Sequence, residues 1–295
     1  MLNFLNQFIK IGKKKEIQLL KPHLDSYLTY LAISQAIKNK TPFLASRIGY
    51  TEARSLAYPA IIEDPPQKIM DSLWHSSGVF PAEANQFRAF AQTYIEASKK
   101  ADLLGLMCYS YETVFIETHV SQASRCLLEH LNPFHYPYPW SMHLEGLDVL
   151  VIHPFAESIS ENYKTNREKL FFDTRVLPKF NLLTIKAPQT LVGNQDGFES
   201  WSQALDYLKK EVQKKRFDVA LIGCGAYGLP IATFIKDLGK IALHLGGALQ
   251  LLFGIIGTRW DENKTGVVFQ NDFWKRPKET ERPLGWDQME NGCYW

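Results

Sequence analysis

No stretch of this sequence is long and apolar enough to cross a membrane, because no run approaches the ~18 to 20 apolar residues that a spanning helix needs. The chain also lacks an excess of charge of one sign. Its 295 residues include 33 basic and 31 acidic side chains, which gives a formal net charge of +2. Without a global basic field, nucleic acid is not an expected partner, and any site for an anion must be local.

Cysteine is scarce, and no two cysteines stand in a CxxC spacing. The four are scattered through the chain as Cys108, Cys126, Cys224 and Cys293. This distribution favours the reduced thiols of a cytoplasmic protein over a disulfide framework or a zinc site. The sequence also contains no internal repeat and no low-complexity tract.

Hydrophobic residues make up 45% of the sequence and aromatic residues 13%, which is enough for a sizeable core. In the second half, short apolar runs at 147–155, 181–188, 217–225 and 240–247 alternate with helical patterns. This rhythm is typical of a parallel sheet that is covered by helices on both faces. We therefore predict an α/β, Rossmann-like, mostly parallel sheet with helices on both faces and a helical N-terminal portion.

The first half is less regular, but the apolar runs 42–49 and 103–110 predict further strands among several helices. Because no convincing linker divides the chain, we predict an N-terminal helical extension over residues 1–40 and a single Rossmann-like domain over residues 41–295. Residues 1–15 place apolar side chains on one helical face ahead of lysines. This pattern fits either packing on the domain or peripheral attachment to an anionic membrane surface.

The segment "IGCGAYG" satisfies the pattern G-x-G-x-x-G with Gly223, Gly225 and Gly228. Such glycines let the backbone approach a diphosphate at the start of a helix. A dinucleotide site also needs an acidic residue at the end of the next strand, and none occurs from Leu238 to Trp260. What remains is a tight turn suited to an anion, with close packing of helix on sheet as the alternative.

The glycine-rich segment "HLGGALQLLFGIIGTRW" follows a predicted strand. Gly246 and Gly247 should therefore lie at the carboxyl edge of the sheet, where open parallel sheets bind ligands. Gln250 and Arg259 could add directional hydrogen bonds, and His153 also ends a predicted strand. The alternative is a buried helix interrupted by glycines.

In "SRIGYTEARSL", Arg47 ends a predicted strand and Glu52 falls in the first turn of a helix. Arginine is the side chain best suited to clamp a diphosphate. Glu52 could ligate a metal or accept a hydrogen bond from a sugar hydroxyl. The alternative is a helix-start carboxylate that is favoured by the helix dipole and paired with Arg54 or Arg47.

Three blocks of the sequence resemble, in the same order, the GT-D-type glycosyltransferases. "SRIGYTEA" is similar to the R-F-G-D-G-E motif near the N-terminus of that family, and "GLDVLVIHPF" is similar to its middle strand. The segment 218–247 is similar to its late strand, glycine turn and helix. The C-terminal part, through "RPLGWDQMENGCYW", is similar to uncharacterised bacterial proteins associated with surface polysaccharide synthesis.

The resemblance implies a glycosyltransferase with a nucleotide-sugar donor and a glycan or lipid-linked acceptor, in the cytoplasm or at the inner face of the membrane. In that family an Asp-x-Glu pair serves the donor diphosphate together with a divalent metal, Mn²⁺ or Mg²⁺. Arg47 and Glu52 match the motif, but Tyr50 stands where the family has Asp. Because a divalent cation prefers carboxylate oxygens, this replacement puts metal binding by Glu52 in doubt.

On this hypothesis, Arg47 and the glycine turns stabilise the leaving diphosphate, while Glu52 or His153 orients or deprotonates the acceptor hydroxyl. Two other classes of protein stay open. A non-catalytic nucleotide- or sugar-binding protein of a polysaccharide assembly system would explain Tyr50. Another Rossmann-type enzyme, such as an NAD-linked oxidoreductase, would explain the glycine pattern.

Overall fold

The computed structural model describes residues 17–120, 122–262, 270–289 and 291–295. Residues 1–15, for which the sequence predicts packing or membrane attachment, lie outside the described residues. Within the described ranges, no helix combines the length and the apolar character that crossing a membrane requires.

Strands and helices alternate along most of the described chain. The strands are β1 (Phe43–Arg47), β2 (Leu103–Leu106), β3 (Ser124–Leu127), β4 (Asp148–His153), β5 (Asn181–Lys186), β6 (Val219–Ile222) and β7 (Ile241–His244). The helices are α1 (Ser26–Asn39), α2 (Tyr50–Leu56), α3 (Pro59–Glu63), α4 (Gln67–Ser77), α5 (Ala84–Ser98), α6 (Ser110–His119), α7 (Ala156–Asn166), α8 (Trp201–Gln213), α9 (Gly228–Asp237), α10 (Ala248–Leu252) and α11 (Thr258–Glu262).

The strands form one seven-stranded sheet in the order β3-β2-β1-β7-β6-β4-β5. Every pair of neighbouring strands is parallel. In the centre, Ala45 of β1 pairs with Leu103 on one side and Leu243 on the other. The Rossmann-like α/β fold predicted from the sequence is thereby confirmed, and the sheet is parallel throughout.

Side chains alternate between the two faces of the sheet, as the pleat of a strand requires. In β4, Leu150 and Ile152 join a core with α5, α6, α8 and α9, whereas Val149 and Val151 join a second core with α1, α7 and the C-terminal residues. Because both faces are covered, the inner positions of the central strands carry apolar side chains on both faces, which is why these strands show as apolar runs in the sequence.

Six of the seven strands lie inside apolar runs of the sequence, and β3 is the exception. In β3 only Cys126 is buried, and the other residues are half-buried. This strand lies at the edge of the sheet, and on its outer side it forms an isolated bridge between Cys126 and Leu24. A short, partly solvated edge strand carries no apolar run, so periodicity alone does not reveal it.

The chain leaves the neighbouring strands β1 and β7 toward opposite faces of the sheet. After β1 it enters α2, whose Ala53 and Leu56 belong to the first core. After β7 it enters α10, whose Leu249 and Leu252 belong to the second. The two loops therefore diverge and form a crevice at the carboxyl edge, the place where open parallel sheets bind ligands.

Candidate functional site

Arg47 is the last residue of β1, and its side chain lies in this crevice. A β-carbon added at Gly246, just beyond β7, would be 3.0 Å from Arg47 Cδ and 3.1 Å from Nη1. On the other side, Nη2 is 3.7 Å from the sulfur of Met107, just beyond β2. The left-handed φ of +63° at Gly246 and its missing side chain make room for the guanidinium between these two segments.

The polar atoms around Arg47 are poorly satisfied. Its Nε is buried and has no hydrogen-bonding partner in the described part of the chain, and the hydroxyl of Tyr109 is in the same state. Burial raises the pKa of Tyr109 and Arg47 opposes that rise, so the two side chains are within electrostatic reach of each other. Two unsatisfied polar atoms beside a positive charge indicate a site for a hydrogen-bond-accepting anion.

Glu52 lies in the first turn of α2 and is buried, with 6% of its surface exposed. Its carboxylate folds over Gly49, where an added β-carbon would be 2.9 Å from Oε1. Burial raises the pKa of Glu52, while Arg47, its own backbone N–H and the Ser77 hydroxyl lower it. A buried carboxyl with a raised pKa is suited to take up a proton.

Sequence patterns alone miss a second buried carboxyl, Glu112, which is 2% exposed. Its oxygens accept hydrogen bonds from the backbone N–H of Met107 at 3.0 and 3.1 Å and of Cys108 at 2.8 Å. Burial raises the pKa of Glu112, and these hydrogen bonds and Arg47 lower it. The spacing contains the signal, since Glu112 is the third residue of α6 as Glu52 is of α2.

Tyr50, the first residue of α2, is 49% exposed. Its ring centroid is 5.0 Å from that of Tyr109 and 6.2 Å from that of Tyr111. Among the described residues, no group of three or more His, Cys, Asp or Glu side chains could hold a metal ion. Because Glu52 is folded back on its own helix start and backbone N–H groups occupy the oxygens of Glu112, these donors do not fit a divalent cation.

The glycine turn after β6 is partly closed by other protein atoms. A β-carbon at Gly223 would be 2.5 Å from the carbonyl oxygen of Gly246 and 2.9 Å from His153 Cδ2. Gly225 has a φ of +55°, and an added β-carbon there would meet only the carbonyl oxygen of Ser77, at 3.6 Å. Close packing therefore explains Gly223, and ligand contact stays a prediction for the more open Gly225.

The third glycine of the turn, Gly228, is covered by the imidazole of His244 at the end of β7. A β-carbon at Gly228 would be 2.5 Å from His244 Cδ2, and Nδ1 of the ring is 2.9 Å from Ser46 Oγ. Burial lowers the pKa of His244 to about 3, and Arg47 acts in the same direction. A neutral histidine thus stands where a dinucleotide site has an acidic residue.

His153 ends β4 and is buried against Gly223. Its Nδ1 accepts a hydrogen bond from the backbone N–H of Phe155 at 3.0 Å, so the neutral ring carries its proton on Nε2. Burial lowers the pKa of His153 to about 3. A ring in this tautomer can donate from Nε2, but it has no free lone pair with which to accept a proton.

The structure brings Gln250, Arg259 and Gly247 together around Tyr294. Gln250 Nε2 donates to the carbonyl oxygen of Tyr294 at 3.1 Å, and the guanidinium of Arg259 lies 4.7 Å from the centroid of the tyrosine ring. A β-carbon at Gly247 would be 2.7 Å from Tyr294 Cε1. Each of the three thus has a structural contact, and their binding of a donor stays a prediction.

A cavity of about 410 Å³ opens beside the crevice, at the carboxyl ends of β2 and β3. Its volume falls in the range of small-molecule sites. The walls combine apolar side chains, one indole and three polar groups, among them Leu106, Leu127, Leu251, Trp260, Glu129, Asn132 and His135. Sequence patterns do not reveal this cavity, because its lining comes from four separate segments.

Comparison with known proteins adds a likeness in fold. No protein-family model matches the chain, and no curated protein matches it in sequence. The chain is similar to a solved selenomethionine-substituted structure of domain of unknown function 1792 (DUF1792), with a TM-score of 0.44 and 11% identity, over 76% of this chain and 78% of that one. This likeness gives no residue of the chain a role.

Proposed function

We propose that this protein is a glycosyltransferase that uses a nucleotide-sugar donor and a glycan or lipid-linked acceptor in the synthesis of bacterial surface polysaccharide or glycoconjugate. One observation carries the proposal: the Arg47 guanidinium lies at the carboxyl edge of a parallel sheet with its buried Nε unsatisfied. Leaving a buried N–H without an acceptor is costly, and a diphosphate would supply acceptor oxygens to the guanidinium. The sequence blocks that resemble GT-D-type enzymes support the substrate class.

In this proposal the diphosphate of the donor lies in the crevice between β1 and β7. Arg47 donates to its oxygens, and the Tyr109 hydroxyl donates to the same group. The open backbone at Gly225 lets the ligand come close to the chain, and Gly246 leaves room for the Arg47 side chain. As the donor bond breaks, negative charge grows on the diphosphate, so a fixed guanidinium stabilises the transition state more than the ground state.

The reaction transfers a sugar from the diphosphate to an acceptor hydroxyl. The hydroxyl oxygen attacks the anomeric carbon and forms the new C–O bond, while the bond from that carbon to the diphosphate oxygen breaks. The nucleoside diphosphate leaves with the electron pair, and the hydroxyl proton passes to a base. No step is assigned to a metal ion, because the carboxylates of the crevice do not form a suitable set of ligands.

Glu52 is the better base of the two side chains that the sequence suggests. Its pKa is raised and it lies next to Arg47, so it can gain a proton as the diphosphate gains charge. His153 carries its proton on Nε2 and fits a hydrogen-bond donor to a sugar hydroxyl. A general base of this kind contributes about 10²- to 10⁴-fold to the rate.

A second candidate function is favoured by Tyr50. With an exposed phenol in place of a carboxylate and Glu52 buried, the crevice could bind a nucleotide or a nucleotide-sugar without turning it over. Such a protein would serve a polysaccharide assembly system as a binding partner. The two candidates share the anion site and differ in whether the donor bond is broken.

The test measures binding and turnover on the same preparations. Calorimetry with pyrophosphate and with UDP, GDP, CDP and dTDP would give dissociation constants for the wild type and for Arg47→Ala. We expect Arg47→Ala to weaken binding by about 10- to 100-fold, the value of charged hydrogen bonds. Release of nucleoside diphosphate from the matching nucleotide-sugar, with a glycan acceptor, would report transfer.

The matched control is Arg88→Ala, since Arg88 is an exposed arginine on α5 that donates to the carbonyl oxygen of Glu63. Its affinity should equal that of the wild type. Binding that is unchanged in a folded Arg47→Ala protein would overturn the proposal. Arg47-dependent binding without turnover of any nucleotide-sugar would select the second candidate.

A further inference from the structure

The cavity at the ends of β2 and β3 is lined by residues that are neighbours in sequence of the residues around Arg47. Leu106, in its wall, directly precedes Met107, whose sulfur contacts Arg47 Nη2 at 3.7 Å. Ala248, also in the wall, follows closely on Gly246, which faces the same guanidinium. A group attached to a phosphate bound by Arg47 would therefore reach this cavity directly.

The walls of the cavity are suited to a flat, partly polar ring. Trp260 offers an indole, and its Cη2 would be 3.7 Å from a β-carbon at Gly247, so the ring lies beside the glycine turn after β7. Leu128 and Leu251 provide apolar walls. An aromatic heterocycle gains stacking and dispersion energy from such surroundings, and this gain does not depend on which substituents the ring carries.

The polar groups of the lining are few and lie close together in sequence. Asn132 can both donate and accept, and the carboxylate of Glu129 accepts only. A nucleobase presents a few donors and acceptors along one edge and two apolar faces, which matches this arrangement. A sugar ring presents hydroxyls around its whole rim, and several would be buried against leucine at a cost.

We infer that this cavity binds the nucleobase of the donor, with the ring stacked on Trp260 and its edge toward Asn132 and Glu129. The inference rests on the proposed function, since it takes Arg47 as the diphosphate site. It adds the part of the site that would distinguish one nucleotide from another. Because the carboxylate of Glu129 only accepts hydrogen bonds, guanine, which has two neighbouring N–H donors on one edge, should bind more tightly than uracil, which has one.

The test separates the base from the diphosphate. Dissociation constants are measured for pyrophosphate and for UDP, GDP and CDP with the wild type, Trp260→Ala and Ala248→Leu. Ala248→Leu fills the cavity from its wall without removing an existing contact. Ala60→Leu is the matched control, because it makes the same change at an exposed position on α3. Thermal unfolding of each variant shows whether it is folded.

We expect Trp260→Ala and Ala248→Leu to weaken binding of the nucleoside diphosphate that the wild type binds most tightly by about 10- to 100-fold, which is the effect expected when one base loses its stacking partner. The affinity of both variants for pyrophosphate should match that of the wild type. Ala60→Leu should change the affinity for neither pyrophosphate nor the nucleoside diphosphate. If folded Ala248→Leu binds the nucleoside diphosphate as tightly as the wild type does, the proposed base site is refuted, while the proposed diphosphate site at Arg47 is not affected. Wild-type protein that binds neither compound would refute both proposals.

Discussion

The imidazole of His244 occupies the space that a side chain at Gly228 would need. A β-carbon at Gly228 would be 2.5 Å from His244 Cδ2 and 2.7 Å from Cε1. His244 is the last residue of β7. Gly228 is the first residue of α9, the helix that connects β6 to β7. The third glycine of the G-x-G-x-x-G pattern therefore lets a helix pack on a histidine, whatever the turn binds.

Gly228→Ala should destabilise the protein by about 1–3 kcal/mol, because the added methyl group overpacks a buried contact. Chemical denaturation would measure the loss. In a His244→Ala background the same change should cost far less, since the imidazole is gone. Gly225→Ala serves as the comparison, because its cost should come from the backbone strain at a φ of +55° and not from a clash with a side chain. An equal cost of Gly228→Ala in both backgrounds would contradict the packing explanation.

Mild acid should destabilise the protein through its two buried histidines. Burial lowers the pKa of His153 and of His244 from 6.5 to about 3. Their contribution is complete above pH 6.5 and is lost as the pH falls toward 3, because the unfolded chain binds protons first. At pH 5 the loss is on the order of 2 kcal/mol for each histidine.

Denaturation between pH 8 and pH 5 would measure this loss, and nitrogen NMR of the rings should show neutral imidazoles at pH 5. His244→Asn should reduce the loss of unfolding free energy between pH 8 and pH 5 by the contribution of one histidine. His75→Gln, at an exposed position on α4, should leave it unchanged. A charged ring at His153 or His244 in the folded protein at pH 5 would show that burial does not control these groups.

Glu52→Gln should stabilise the protein relative to the wild type as the pH rises. The raised pKa of Glu52 means that its contribution to stability is present below the unfolded value of 4.5 and is lost as the pH rises through the folded value. The amide cannot ionise, so the gain should be absent near pH 4 and grow toward pH 8. Unfolding curves for the exposed control Glu63→Gln should follow the wild type at every pH. A gain that is independent of pH would point to packing instead.

Trp295→Ala should cost about 3–5 kcal/mol, as expected for a large aromatic side chain removed from a core. Trp295 is 3% exposed, its ring centroid lies 5.7 Å from that of Phe155, and its Nε1 donates to the carbonyl oxygen of Glu281. Leu284, at 85% exposure, is the control, and Leu284→Ala should change stability by less than about 0.5 kcal/mol. Similar costs for the two variants would show that the C-terminal residues do not stabilise the fold.

Local sequence carries much of the fold. Both faces of the sheet are covered, so β6 is apolar at every position and β4 at its four inner positions, and both are readable as strands without any knowledge of their neighbours. The position of Arg47 at the end of β1 and of Glu52 in the next helix follows from the same kind of local pattern. These features depend on residues that are a few positions apart in the chain, so hydrophobic periodicity and turn residues are enough to predict them.

The sequence by itself determined the α/β class, the strands with continuous apolar runs and the presence of an arginine and a carboxyl beside a predicted turn. Only the tertiary structure decided that His244 covers Gly228, that Glu112 joins Glu52 near Arg47, and that a cavity opens beside Trp260. The reason is physical: burial, pKa and the space around a side chain depend on atoms that are distant in the chain, and the order of parallel strands brings those atoms together.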